Sequence, residues 1–314
     1  MSYEVMQVSP LPLAMLKALQ EEGFVLHDHS HILDPAALAR VPVLLAQADL
    51  ARIDAKLLTM LPQARRLVLL GAPGTPAPGV DWAALAQRGI EVSHTPPAHQ
   101  DDAADLALAF LLTLTRRVVA ADRFVRNNDW VDEPFACAPR FSGSRLGLVG
   151  MGPLAQAIAR RVQAFDVSLA YTDARRCEAV SHRHVASVEA LAAEVDHLVI
   201  ADPQVASEVQ VVTLNALRAL GPTGQLVYLG APSALDLEML AQALKDKVIA
   251  GAAVDVFADA PRVPATLRAL PQVVLTPQIA HATLPGQRER VDRAVAQLKA
   301  FFAARDAARQ PPTA

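Results

Sequence analysis

RLGLVGMGPLAQAIARRVQAF, residues 145–165, opens as an apolar strand, turns through two glycines and continues as a helix with Leu154, Ile158 and Val162 on one face. A second apolar run, SLAY at 168–171, ends at Thr172-Asp173, which places an acid about 20 residues past the glycines. Strand, Gly150-x-Gly152-x-x-Ala155, helix, strand and acid, in that order, form a dinucleotide fingerprint in the structural context it requires. Gly150 permits the tight turn, Gly152 lets backbone approach a pyrophosphate, and Ala155 replaces the third glycine while still allowing close helix packing. Asp173 suits the hydroxyls of an adenosine ribose and opposes an added phosphate, which favours NAD; Arg175 and Arg176 keep NADP open. Pro153 has the φ of a first helical residue but no N–H to offer a phosphate, so weakened affinity is expected.

On the amino-terminal side, residues 4–8 and 12–22, 43–46 and 53–61, and 67–70 and 81–88 pair short apolar runs with helical patterns. That βα repetition predicts a parallel sheet. On the carboxyl-terminal side a second series has strands at 168–171, 198–201, 226–229, 250–254 and 273–275. Residues 101–127 read as one long buried helix bridging two domains, followed by a Pro- and aromatic-rich loop at 129–143. A last helix at 286–305 is expected to return to the first domain, ahead of a frayed tail.

At 314 residues the chain suits two domains. Its 52% hydrophobic and 19% charged residues suit a soluble α/β protein. A net charge of -3 supplies no basic footprint, so no nucleic-acid partner is expected. No run approaches the roughly 18 apolar residues of a membrane span. Cys137 and Cys177 are far apart, which argues against a disulfide framework and for a reducing, cytoplasmic setting. His27, His29 and His31 alternate in HDHSH, but the segment reads as an exposed loop before a helix cap at Asp34-Pro35, and no metal is expected.

ALAQRGIEVSHTPPAHQDDAADLALAFLL (84–112), GLVGMGPLAQAIARRVQAF (147–165), ALKDKVIAGAAVDVF (243–257) and LPQVVLTPQIAHAT (270–283) together resemble the D-isomer-specific 2-hydroxyacid dehydrogenase family, nearest its glyoxylate/hydroxypyruvate and phosphite branches. The resemblance covers nearly the whole chain. It implies two doubly wound parallel-sheet domains: a flavodoxin-like substrate domain from 1–108 plus 286–314, and a Rossmann NAD-binding domain at 109–285. It also implies a cleft for a 2-oxo or 2-hydroxy acid, and a homodimer. The implied cofactor contacts are Gly150, Met151, Gly152, Pro153, Leu154, Asp173, Asp202, Leu229, Gly230 and Asp255, the last holding the nicotinamide carboxamide.

The catalytic positions depart from the family. Its substrate-anchoring arginine falls on Ala231, its histidine-tuning glutamate on Ala260, and its acid-base histidine on Gln278. Position 231 then lacks the planar, bidentate carboxylate clamp, and glutamine is no general acid near neutral pH. His281, three residues on, competes for that role against a plain turn-capping or packing role. Tyr228 and Arg140 are weaker substitutes, Asp105 matches a family position and reads equally as a solvated or helix-capping acid or as one of indirect use, and Pro73, Pro76 and Pro78 remove N–H donors from the 71–79 loop.

Overall fold

A computed structural model describes residues 3–28, 34–48, 50–71, 77–96, 100–201 and 210–309. Asp202, His29, His31, Pro73 and Pro76 lie outside the described residues. The chain divides into two compact units, Met1–Ala98 with Leu284–Ala314, and His99–Thr283. The boundary expected at 108/109 is corrected to 98/99, because residues 101–108 belong to a continuous helix that packs within the second unit.

The first unit carries strands β1 (Tyr3–Gln7), β2 (Phe24–Asp28), β3 (Val43–Gln47), β4 (Arg66–Leu70) and β5 (Glu91–His94). All pair in parallel in the order β2-β1-β3-β4-β5, the flavodoxin-like arrangement. Helices α1 (Leu13–Glu21), α2 (Pro35–Leu38), α3 (Ala55–Met60) and α4 (Trp82–Gln87) connect them. Asp34, Asp54 and Asp81 cap α2, α3 and α4 through their carboxylates. Successive strand residues point to opposite faces, so neighbours separate into two cores. Met6, Leu44, Leu67 and Leu69 join Leu38, Leu58 and Leu85 on one side; Val5, Val43, Leu45 and Val68 join Met15 and Leu19 of α1 on the other. The second side is completed by the chain's last helix, Leu284–Arg309, through Val291, Ala294, Leu298 and Phe302. This burial brings the carboxyl-terminal helix back to the unit in which the chain began.

Between these segments come α5 (Asp101–Arg116) and α6 (Val118–Arg126). The single bridging helix expected at 101–127 is broken at Arg117, whose φ of 54° is left-handed, and α6 buries none of its residues. The second unit follows with β6 (Arg145–Val149), α7 (Pro153–Val162), β7 (Ser168–Thr172), β8 (Arg183–His184), α8 (Val188–Ala192), β9 (His197–Ile200), α9 (Leu214–Leu220), β10 (Gln225–Tyr228), α10 (Leu237–Lys245), β11 (Gly251–Val254), α11 (Ala265–Arg268) and β12 (Val273–Leu275). Counting on, Leu284–Arg309 is α12. The parallel sheet runs β12-β11-β10-β9-β6-β7-β8, reversing direction between β6 and β9. Ligands of such sheets bind outside the carboxyl ends of the strands at that reversal.

Alternation again sets the layers. Leu146, Leu148, Val227 and Ala253 face α5 and α7, whereas Val149, Leu226, Tyr228 and Val254 face α8, α9 and α10. Gly147 packs closely, since an added Cβ would stand 3.0 Å from Cγ of Leu191 and press on that side chain. Where the unit is entered and left, Thr283 donates its hydroxyl to Asp102 at 2.7 Å.

His197, on β9, is buried with its ring 5.3 Å from that of Phe141. Burial pushes its pKa below the usual histidine value, against the opposing pull of Asp196 and a hydrogen bond with Gln225. The unfolded chain therefore takes up the proton first: stability is full above about pH 6.5 and falls as pH drops from there towards the lowered folded-state value. His197→Gln is expected to remove up to about 1.4 kcal/mol per pH unit of that acid limb, read as the difference between wild-type and variant urea midpoints at pH 7 and pH 5. Parallel acid limbs in the two proteins would count against it.

Candidate functional site

The chain leaves β6 through Gly150 at φ 90°, a left-handed value that glycine adopts without Cβ strain. Its N–H donates to the Thr172 carbonyl at 2.8 Å, which ties the turn to the end of β7. The Met151 N–H donates to Oδ2 of Asp173 at 2.8 Å, and the Ala174 N–H to Oδ1 at 2.7 Å. The fingerprint acid is thus fixed to the glycine turn, with lone pairs left on both oxygens for ribose hydroxyls. Met151, expected at the cofactor, has its own N–H committed to that tie.

Gly152 is the cap of α7, and Pro153 occupies the first helical position. Donors at a helix start have no acceptor within the helix, so the N–H groups of Leu154 and Ala155 remain for a phosphate, aided by the helix dipole. Ala155 is fully buried, and the small residue expected there for close packing is so placed. The loop therefore fits a dinucleotide, with one donor fewer than a chain lacking Pro153 would offer.

Across the sheet reversal, β10, β11 and β12 end side by side. Leu229 donates its N–H to the Ile200 carbonyl at 2.9 Å, and a Cβ on Gly230 would come 3.0 Å from Cγ2 of Ile200. Ala231 is exposed beyond it. Tyr228, weighed as a substrate donor, is fully buried and donates its hydroxyl to the Ala231 carbonyl at 2.6 Å. Burial raises its pKa strongly. It secures the strand-end corner and has no free face there.

Asp255, immediately after β11, is 1% exposed. Its Oδ1 accepts from Thr276 Oγ1 at 2.5 Å and the Ile279 N–H at 2.8 Å, and its Oδ2 from the Ala280 N–H at 2.9 Å. Its carbonyl accepts from the Gln278 N–H at 3.1 Å. One carboxylate thus organises the whole 276–280 turn. Gln278 sits at the turn's crest with φ 58° and an exposed side chain; His281, at its far end, is half-buried. Ala260 is exposed in the turn after β11.

Sequence reasoning missed Thr276 as a partner of Asp255. The Thr-Pro pair preceding Gln278 was its only local sign. Asp105 ion-pairs with Arg161 of α7 at 2.5 Å, so it links two helices of the second unit. Arg140 lines a cavity of about 320 Å³ with Leu112, Arg116, Phe141 and Phe165, and none of the strand-end residues shares it. His27 lies on β2, not in a loop, with Nε2 3.2 Å from Glu4. Among the described residues no cluster of three metal ligands occurs, and no helix is long and apolar enough to cross a membrane.

Residues 108–280 match the family model described as D-isomer specific 2-hydroxyacid dehydrogenase, NAD binding domain. Hydroxyphenylpyruvate reductase of Plectranthus scutellarioides is 32% identical over 252 residues, 80% of each chain. A 2-hydroxyacid dehydrogenase structure from Ketogulonicigenium vulgare Y25 superposes with a TM-score of 0.84 at 29% identity, covering 97% of this chain and 96% of that one. The NADPH-dependent glyoxylate/hydroxypyruvate reductase of Sinorhizobium meliloti, in complex with NADP and malonate, gives 0.81 at 31% identity, covering 95% and 93%.

Proposed function

Because this chain belongs to the D-isomer specific 2-hydroxyacid dehydrogenase family, we propose that it binds NAD(H) but retains little ordinary 2-hydroxyacid dehydrogenase activity. The observation that carries this is Gln278, exposed at the crest of the turn after β12, where the family resemblance expects an acid-base histidine.

NAD(H), once bound, supplies or accepts the hydride. The glycine turn at Gly150 and Gly152 would let the pyrophosphate approach the N–H groups of Leu154 and Ala155, Asp173 would hold its adenosine ribose, and Asp255 fixes the turn carrying Gln278. The Gln278 amide can hydrogen-bond a substrate oxygen but yields no proton near neutral pH. Ala231 offers a methyl group in place of a carboxylate clamp. We assign any remaining proton transfer to His281, the ionisable side chain at the end of that turn. Named relatives reduce hydroxyphenylpyruvate, glyoxylate and hydroxypyruvate, so small 2-oxo acids are the substrates to screen.

A second reading, a non-catalytic NAD(H)-binding sensor or scaffold that works as a cytoplasmic homodimer, is favoured by the apolar residues left open around α6. Val118, Val125, Trp130 and Val131 are 50–75% exposed, a grouping suited to a partner surface. NADH oxidation with glyoxylate and hydroxypyruvate tests the main reading. A wild-type kcat/KM above about 10⁴ M⁻¹s⁻¹, the low end for ordinary enzymes, would refute it.

A further inference from the structure

We propose that this site selects the oxidised cofactor, binding NAD+ about tenfold more tightly than NADH, because the buried Asp255 carboxylate stands without a countercharge at the nicotinamide end. The proposal rests on the NAD(H)-binding reading above.

The sheet supplies the placement. The half containing β6, β7 and β8 carries the phosphate loop and Asp173, which assigns it to the adenosine side. The half containing β9 to β12 is left for the nicotinamide mononucleotide. At the ends of β10, β11 and β12 stand Leu229, Gly230 and Ala231; Asp255 and Val256; and Thr276, Pro277 and Gln278. Asp255 is the one formally charged side chain in that set. The next acid along, Asp259, is paired with Arg262 at 3.3 Å.

Asp255 has no ion-pair partner among the described residues. Its three hydrogen-bond donors are two backbone N–H groups and a threonine hydroxyl, all neutral. Such donors stabilise a carboxylate without cancelling its charge. At 1% exposure, little solvent screens it. The nicotinamide ring is cationic in NAD+ and neutral in NADH, so an uncancelled negative charge beside its pocket acts on one redox state and not the other. Ala231 and Gln278, at the ends of the strands on either side of β11, carry no positive charge and leave Asp255 unopposed there.

Calorimetric titration of the full chain with NAD+ and, separately, NADH tests this. The expected ratio of Kd for NADH over NAD+ is about ten. Asp255→Asn, which removes the charge and keeps an acceptor for Thr276 and Ile279, should bring the ratio close to one. Ala231→Arg, at an exposed position that leaves the Asp255 hydrogen bonds intact, should lower it severalfold and serves if the first variant fails to fold. Equal wild-type affinities, tighter NADH binding, or a ratio unmoved by the variants would overturn the proposal and leave NAD(H) binding standing. Failure of both cofactors to bind at millimolar concentration would overturn the NAD(H)-binding reading with it.

Discussion

Ala231→Arg, Ala260→Glu and Gln278→His combined in one chain are expected to raise NADH-dependent glyoxylate or hydroxypyruvate reduction by about 10² to 10⁴-fold, the range typical of a general acid. Position 231 would gain a planar donor pair matched to a substrate carboxylate. Position 278 would gain a group able to give a proton as the hydride arrives. Sterically the exchange is open, because Ala231, Ala260 and Gln278 are all exposed and none fills a core. Histidine is also among the side chains enriched at positive φ, so the 58° backbone of residue 278 can accept it. The three groups act as a unit, and single substitutions should recover a small part of the gain. Steady-state rates of the triple variant and its three singles decide the matter; a triple variant within threefold of wild type would show that side chains at positions 231, 260 and 278 are not what limits the reaction.

The second large effect concerns folding. Asp255→Ala would leave the Thr276 hydroxyl and the Ile279 and Ala280 N–H groups without their acceptor in a nearly buried position. Each abandoned buried donor costs about 1–3 kcal/mol, so a loss of about 3–5 kcal/mol in urea denaturation is expected once local rearrangement offsets part of it. Asp255→Asn should lose about half as much, since its Oδ1 can serve two of the three donors. Equal denaturation midpoints for the alanine variant and wild type would mean that the 276–280 turn holds its shape without the carboxylate.

The features legible in the sequence were those with local causes. A glycine turn between an apolar strand and an amphipathic helix identified β6 and α7, and the order of four motifs placed the chain in its family. The expected doubly wound sheets and the returning last helix are present. β2 escaped notice because its end runs into HDHSH, read as an exposed loop, and β5 because EVSH has a single apolar residue; parallel pairing with β1 and β4 stabilises them. The break between α5 and α6 had no Gly or Pro to announce it; Arg117 enters the left-handed region unaided. The site followed the same division. That Gln278 follows the last strand and Ala231 follows β10 was readable from the apolar runs before them. The role of Asp255 as organiser of a turn more than 20 residues later was not, because nothing local to either segment encodes the pairing.

The bond between Asp102 and Thr283 bears on how the sequence of one unit came to interrupt that of the other. A flexible insert separates its two attachment points at an entropic cost that rises with its length. Here the folded insert fixes its own entry and exit within one hydrogen bond of each other, so to the surrounding unit it behaves as a short closed loop. The enclosing fold can therefore carry a whole domain in mid-chain, and the excised 99–283 segment is a natural choice for independent expression.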